Sequence, residues 1–264
     1  MDRYAERRCN AYRKRILELS RNVTALHVAP AFSCVEIVDA VYNDWIFAAP
    51  DKRNIFIMSK GHGCLIQYMI LHERGLLTDD DIKSYCKPGG RLGAHPDYGV
   101  PGIEASTGSL GHGLGIATGR ALGKKLRGDN GTVFCVMSDG ELQEGSSWEA
   151  AMMAANKNLD NLTVLVDNND FSGLERMSES HPSFYPLADK FQAFGWSACQ
   201  VEGHDSAAIN EAIGQNSNRP KAIICKTIKG KGVSYMEHEP IWHYRSPNDE
   251  EYEIAMQELA RLAS

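Results

Sequence analysis

An α/β fold, with a parallel sheet and helices on both faces, is predicted by three observations. Between residues 132 and 226, strand-like apolar runs alternate with helical segments in a β-α-β-α-β order. The runs Thr132–Met137, Leu162–Val166 and Lys221–Lys226 are almost continuously apolar inside, as strands buried on both faces must be. Two of them are followed closely by turn formers, Asp139-Gly140 and Asn168-Asn169, where a parallel sheet collects its ligand-binding loops.

The elements follow in order. Residues 4–22 have helical spacing, and the apolar segment 34–47 is a second helix, broken at Pro50-Asp51. Asn54–Met58 is a short strand; Gly61-His62-Gly63 leads into a helix over Cys64–Arg74 that Gly75 closes. Thr78 before Asp79–Asp81 is a capped helix start for a segment reaching Tyr85. Residues 87–113 are dense in Gly and Pro without periodicity, long enough to be a functional loop. A helix over Leu114–Leu126 precedes the strand Thr132–Met137. Helix Gly145–Lys157, strand Leu162–Val166 and a polar loop at 172–184 come next. Helix Pro186–Phe194, strand Ser197–Val201, helix Ser206–Asn216 and strand Lys221–Lys226 complete the alternation, and Asp249–Leu262 is a last helix.

Composition narrows the function. The 264 residues are 43% hydrophobic and 23% charged, typical of a globular protein with ample core. A net charge of −6 argues against a nucleic-acid binder or an anionic-membrane binder. No apolar run reaches membrane-spanning length, and the basic start has no apolar signal core. The seven cysteines have no regular spacing, and Cys135 and Cys225 fall inside strand runs. They read as small core residues in a reducing, cytoplasmic setting, without CxxC or CxxH pairs for zinc.

The chemistry concentrates at strand ends. Asp139 and Asn169 lie 30 residues apart with a helix between them, which brings both to one sheet edge. A carboxylate and an amide oxygen are hard ligands suited to Mg²⁺ or Ca²⁺, with a carbonyl near Phe171 as a third donor. Backbone N–H groups at Gly140 can meet phosphate oxygens. Asp-Gly and Asn-Asn are also ordinary turn formers, so the case rests on their joint spacing. Gly108-Ser109-Leu110, in the run Gly108–Gly113, opens a helix and can cradle an anion, although the run does not match a P-loop. Glu141 follows Gly140. Glu144 is either a favourable charge at a helix start or a carboxylate near a cofactor or subunit contact. His27, His62, His95, His112 and His243 all fall in or beside Gly/Pro-rich or short polar segments, where imidazoles can bind sugar hydroxyls or phosphate. Lys226–Gly232 is either a solvated basic loop or a segment facing a diphosphate.

Six motifs carry a resemblance: Ser59–His62, Arg91–Pro96, Ser106–Gly111, Asp139–Gly145, Asp167–Asn169, and Lys226–Gly232 followed by Trp242-His243. From about residue 10 to 245 the chain resembles the N-terminal, diphosphate-binding half of a transketolase of the split, two-chain type. The resemblance implies a thiamine diphosphate-binding fold of the pyrophosphate type, with residues 1–264 as one diphosphate and metal domain. It implies thiamine diphosphate with Mg²⁺ or Ca²⁺, held by Asp139, Asn169 and the carbonyl of Phe171. Gly140, Glu141, Gly108, Ser109, Leu110, His62 and His243 are implied at the cofactor. His27, His62, His95, His243 and Glu144 are implied in catalysis, with His27 and His95 on donor-sugar hydroxyls and Glu144 in the subunit interface.

The implied reaction moves a two-carbon ketol unit from a ketose, or its phosphate, to an aldehyde acceptor. A second catalytic domain is expected on a complementary C-terminal subunit, in an α₂β₂ heterotetramer. Related thiamine-dependent readings are a deoxyxylulose-phosphate synthase-like chain and the α subunit of a 2-oxo-acid dehydrogenase; a non-catalytic scaffold is the other class. The histidine set favours transketolase. The chain departs from the family at Leu26–Phe32, at Ser138 and at His112, and these departures bear on the sugar more than on the cofactor.

Overall fold

A computed structural model describes residues 3–23 and 26–262. Five strands, β1 (Ile55–Met58), β2 (Val133–Ser138), β3 (Leu162–Asn168), β6 (Ser197–Glu202) and β7 (Lys221–Lys226), form one parallel sheet in the order β1-β2-β3-β7-β6. The register aligns Met58 with Val136, Ser138 with Asp167 and Asn168 with Lys226. The residues that leave these strands, Ser59, Asp139, Asn169 and Thr227, therefore emerge on one edge.

Strand alternation sends side chains to two cores. Phe56, Phe134, Val136, Leu165, Ile223 and Cys225 join one cluster. It also holds residues of α1 (Arg3–Ser20), α3 (Val35–Ala40), α4 (Cys64–Glu73), α10 (Ser206–Gly214) and α11 (Asp249–Arg261). Ile57, Val133, Cys135, Val164, Val166 and Ile224 join the other, under α6 (Gly113–Leu126), α7 (Gly145–Asn156) and α9 (Leu187–Ala193). The expected parallel sheet with helices on both faces is the one observed. Five cysteines, Cys135 and Cys225 among them, are buried thiols, while Cys86 is exposed and Cys199 half-buried. No described helix is long and apolar enough to cross a membrane.

Three local differences matter for the site. A short helix α2 (Val28–Ser33) stands where the sequence offered no helical signal. Pro30 falls in its first turn, where a missing N–H costs nothing because no intrahelical acceptor awaits it. The helix expected over 34–47 is α3 followed by a π-helical turn, Val41–Ile46. The loop expected at 172–184 contains a two-stranded ladder, β4 (Phe171–Ser172) with β5 (Glu175–Arg176), and the one-turn helix α8 (Met177–Ser180). The capping box at Thr78 forms as the sequence indicates, starting α5 (Asp79–Lys83).

Candidate active site

Two buried carboxylates occupy neighbouring strand ends. Asp167, in β3, is completely buried. Lys60 Nζ, from the loop after β1, ion-pairs with its Oδ2 and also donates to the Pro30 carbonyl at 2.8 Å. Ser33 Oγ of α2 donates to Asp167 Oδ1 at 2.8 Å, Thr227 Oγ1 donates to the same oxygen, and Asn169 Nδ2 reaches Oδ2 at 3.2 Å. Burial by itself would lower the Lys60 ammonium; the adjacent Asp167 outweighs it and holds Lys60 above its ordinary value.

Asp139, after β2, is equally buried and receives two backbone N–H groups, Gly140 to Oδ1 at 2.9 Å and Asp170 to Oδ2 at 2.6 Å, with the Tyr185 hydroxyl also acting on it. No ion pair among the described residues reaches it. Burial pushes its carboxyl up to about 7, and the negative charge of Asp167 adds to the rise. Asn169 stands beside it on the next strand end. Its amide N–H₂ is spent on Ser33 at 2.9 Å and on Asp167, which turns its oxygen to the other side, where Phe171 N–H donates at 3.0 Å. Among the described residues no three His, Cys, Asp or Glu side chains form a metal cluster. A cation here would draw on one carboxylate, one amide oxygen and a main-chain carbonyl. That all-oxygen set, with an uncompensated buried carboxylate at its centre, fits a hard divalent cation whose remaining positions go to water or phosphate.

Over this floor lies a cleft of about 260 Å³ lined by His27, His62, His95, Gly108, Leu110, Ser138, Gly140, Phe171, Ser172, Gly173 and His243. The imidazoles come from four separate segments, and their rings converge: His27 is 5.7 Å from His62, 5.8 Å from His95 and 5.5 Å from His243 between centroids. Burial lowers His27 to about 4 and His243 to about 3, and pushes His62 well below its ordinary value. Neutral imidazoles are hydrogen-bond donors and acceptors, suited to hydroxyl groups. Tyr244, half exposed, packs on His27 at the rim, 4.6 Å between centroids. Gly108 has φ +132°, and a Cβ there would lie 2.8 Å from the His95 ring, so a side chain would displace the histidine.

Not every expected residue faces this cleft. Asp139 and Asn169 lie beneath its lining, and Asn169 borders an adjoining cleft with Asp170 and Thr227. Glu141 is buried as a clamp: it accepts from Ser59 Oγ, from Gly111 N–H at 2.9 Å and from Ser138 N–H at 3.3 Å, so it shapes the loops rather than lining the cleft. Ser109 and Glu144 are exposed outside the lining, and Glu144 takes the N-cap position of α7 without a side-chain cap bond. Ser33 carries no role in the sequence reading, and Lys60, Asp167, Thr227 and Lys229 stand there only inside motifs, without individual roles. Lys229 Nζ lies 3.0 Å from His243 Nδ1 and donates to the Gly173 carbonyl at 3.0 Å; burial lowers it to about 7, and Lys60 adds to that. A lysine inside the motif Lys226–Gly232 was a visible signal. Ser33 had none, because its partner is 134 positions away.

Comparison with known proteins adds the lineage. The family described as "Transketolase, thiamine diphosphate binding domain" matches residues 6–259. The chain is 35% identical to an apulose-4-phosphate transketolase subunit of Actinobacillus succinogenes, over 96% of this chain and 95% of that one. It is 32% identical to the 6-deoxy-6-sulfo-D-fructose transketolase subunit SqwG of a Clostridium species, over 97% and 96%. The solved transketolase of Leishmania mexicana superposes with a TM-score of 0.83 at 25% identity, covering 98% of this chain and 45% of that chain. The chain thus spans nearly the full length of the two subunits and less than half of the solved enzyme.

Proposed function

This chain belongs to the transketolase family, in its thiamine diphosphate binding domain, and from that premise we propose that it is the diphosphate-binding subunit of a two-chain transketolase. The observation that carries the proposal is the uncompensated buried carboxylate of Asp139 beside Asn169, under a cleft lined by four histidines. Thiamine diphosphate, when bound, supplies the electron sink for breaking the bond beside a ketose carbonyl. In this reading Asp139, the Asn169 amide oxygen and the Phe171 carbonyl hold Mg²⁺ or Ca²⁺, and Gly140 N–H and Lys229 face the diphosphate. His62 and His243 stand beside the cofactor. His27 and His95 orient substrate hydroxyls and accept or return their protons. Glu144, on the surface next to Gly111, belongs to a subunit contact.

Residues 1–264 act as one such unit, and a complementary chain completes the site in an α₂β₂ assembly. The relatives of matching length are named subunits, and the solved enzyme is more than twice as long. Those relatives are named for modified sugars. Of the Leu26–Phe32 segment only His27 lines the cleft, while Leu26, Val28 and Phe32 pack into the core, so the modified ketose as donor rests on the relatives' names alone. The test is titration of thiamine diphosphate with Mg²⁺ into the chain and its complementary subunit. Saturable, metal-dependent binding that Asp139→Ala abolishes is expected; no binding in the unaltered complex, or undiminished binding in the variant, refutes the reading.

A further inference from the structure

Behind the site, a buried ion-pair network ties together two segments that brace its floor. Arg13, in α1, makes a two-pronged pair with Glu36 of α3, both contacts at 2.7 Å, and also donates to the Phe32 carbonyl at 3.0 Å. Phe32 immediately precedes Ser33, which donates to Asp167. On its other side Glu36 accepts from His204 Nδ1 at 2.9 Å. His204 Nε2 lies 2.8 Å from the backbone N–H of Ile228. A backbone N–H can only donate, so Nε2 is the acceptor and Nδ1 carries the proton that goes to Glu36. The imidazole is thereby fixed as one neutral tautomer. Burial pushes the Glu36 carboxyl up, but the Arg13 charge and the His204 bond outweigh it and hold the group at about 2, so it stays an anion.

Ile228 sits between two residues the site uses. Thr227 donates to Asp167, and Lys229 lies against His243 and the Gly173 carbonyl. The next residue, Gly230, donates its N–H to the Ala29 carbonyl of α2 at 3.1 Å. None of Arg13, Glu36 or His204 lines the histidine cleft.

We propose that Arg13, Glu36 and His204 are positioning residues that set the distance between helix α2 and the Thr227–Lys229 segment, and so set affinity for the diphosphate of the cofactor. The link to the cofactor rests on the transketolase reading above; the link to the segment does not. His204 is the discriminating position, because each half of its role can be removed separately. His204→Gln places a carbonyl near the Nε2 position and keeps an acceptor for Ile228 N–H. His204→Asn keeps a donor for Glu36 and loses that acceptor. His204→Phe loses both.

Two measurements test this. Hydrogen exchange on the full chain reads the Ile228 amide directly; thiamine diphosphate titration, with Mg²⁺ and the complementary subunit, reads affinity. Expected are faster Ile228 exchange and about tenfold weaker cofactor binding in the Phe and Asn variants, the scale of one lost hydrogen bond, with both restored toward the unaltered values in Gln. Equal losses in all three variants would reduce the network to packing and overturn the proposal, as would unchanged exchange and affinity in His204→Phe. If the unaltered complex binds no thiamine diphosphate, the transketolase reading fails. The proposal as stated, which includes cofactor affinity, then fails with it, while the exchange pattern still decides whether His204 holds the segment.

Discussion

Asp139 and Asp167 stand on adjacent strand ends, are equally buried, and are treated in opposite ways. Asp167 is supplied with a lysine ammonium, two hydroxyls and an amide from within the chain. Asp139 is supplied with two backbone N–H groups and, among the described residues, no directly paired cation, Lys60 acting on it only at longer range. A buried carboxylate without a counter-charge is unfavourable, and a chain that retains one leaves a place for a cation from solution. The contrast separates a brace from a candidate cation site more sharply than residue type does, since both groups are aspartates.

The comparison is open to attack at each carboxylate. Asp167→Ala strands Lys60 in the core and is expected to destabilise the chain by about 3–5 kcal/mol, read as a shifted urea midpoint. A small effect would mean that Lys60 finds other partners and that the brace is dispensable. Asp139→Asn, in contrast, keeps a near-isosteric side chain and removes a buried charge at the cost of one acceptor for the Gly140 or Asp170 N–H, so the metal-free variant should fold with a loss of no more than about 1–3 kcal/mol. It should lose the added stability that Mg²⁺ with thiamine diphosphate confers on the unaltered complex, about 2.7 kcal/mol at a hundredfold excess over Kd. Equal ligand stabilisation in both proteins would remove Asp139 from the proposed metal site.

The smallest expected effect is a pH dependence of the difference between these two proteins without metal. Asp139 has a folded value near 7, raised from its ordinary range, so between about pH 4 and 7 it holds a proton when folded and releases it when unfolded. Its contribution is present at the acid end and lost as pH rises through that window. His27 and His243, kept neutral when folded, act in the opposite direction over the same range. Taking unaltered chain minus Asp139→Asn cancels the histidines to first order. Stability of the unaltered chain relative to the variant should fall from pH 4 to 7, and a flat difference would show that the Asp139 carboxyl titrates in its ordinary range.

Much of this site was legible before any coordinates. Asp139, Gly140 and Asn169 announce themselves because apolar runs end just before them and a parallel sheet has only one carboxyl edge. The histidines could be named as loop residues, but not as a cluster. His95 and His243 are 148 positions apart, and nothing local records that both rings approach His27. Glu141 shows the converse failure: by position it sits in the best motif of the chain, yet its side chain turns to Ser59 and Gly111. Helix α2 was missed because six residues with a proline carry too little periodicity to reveal it.

What the sequence determined by itself is the layered α/β architecture, the sheet edge that carries Asp139 and Asn169, and the oxygen donors those residue types offer there. Those follow from periodicity and from residue type at strand ends, which act over a few residues. What only the tertiary structure decided is the pairing. It gave Lys60 to Asp167 and left Asp139 open, gathered four imidazoles from four segments, and tied Arg13 to Ile228 through Glu36 and His204. Such pairings are set by which groups burial brings within about 3 Å of one another, the length of a hydrogen bond, and the order of residues along the chain does not encode that distance.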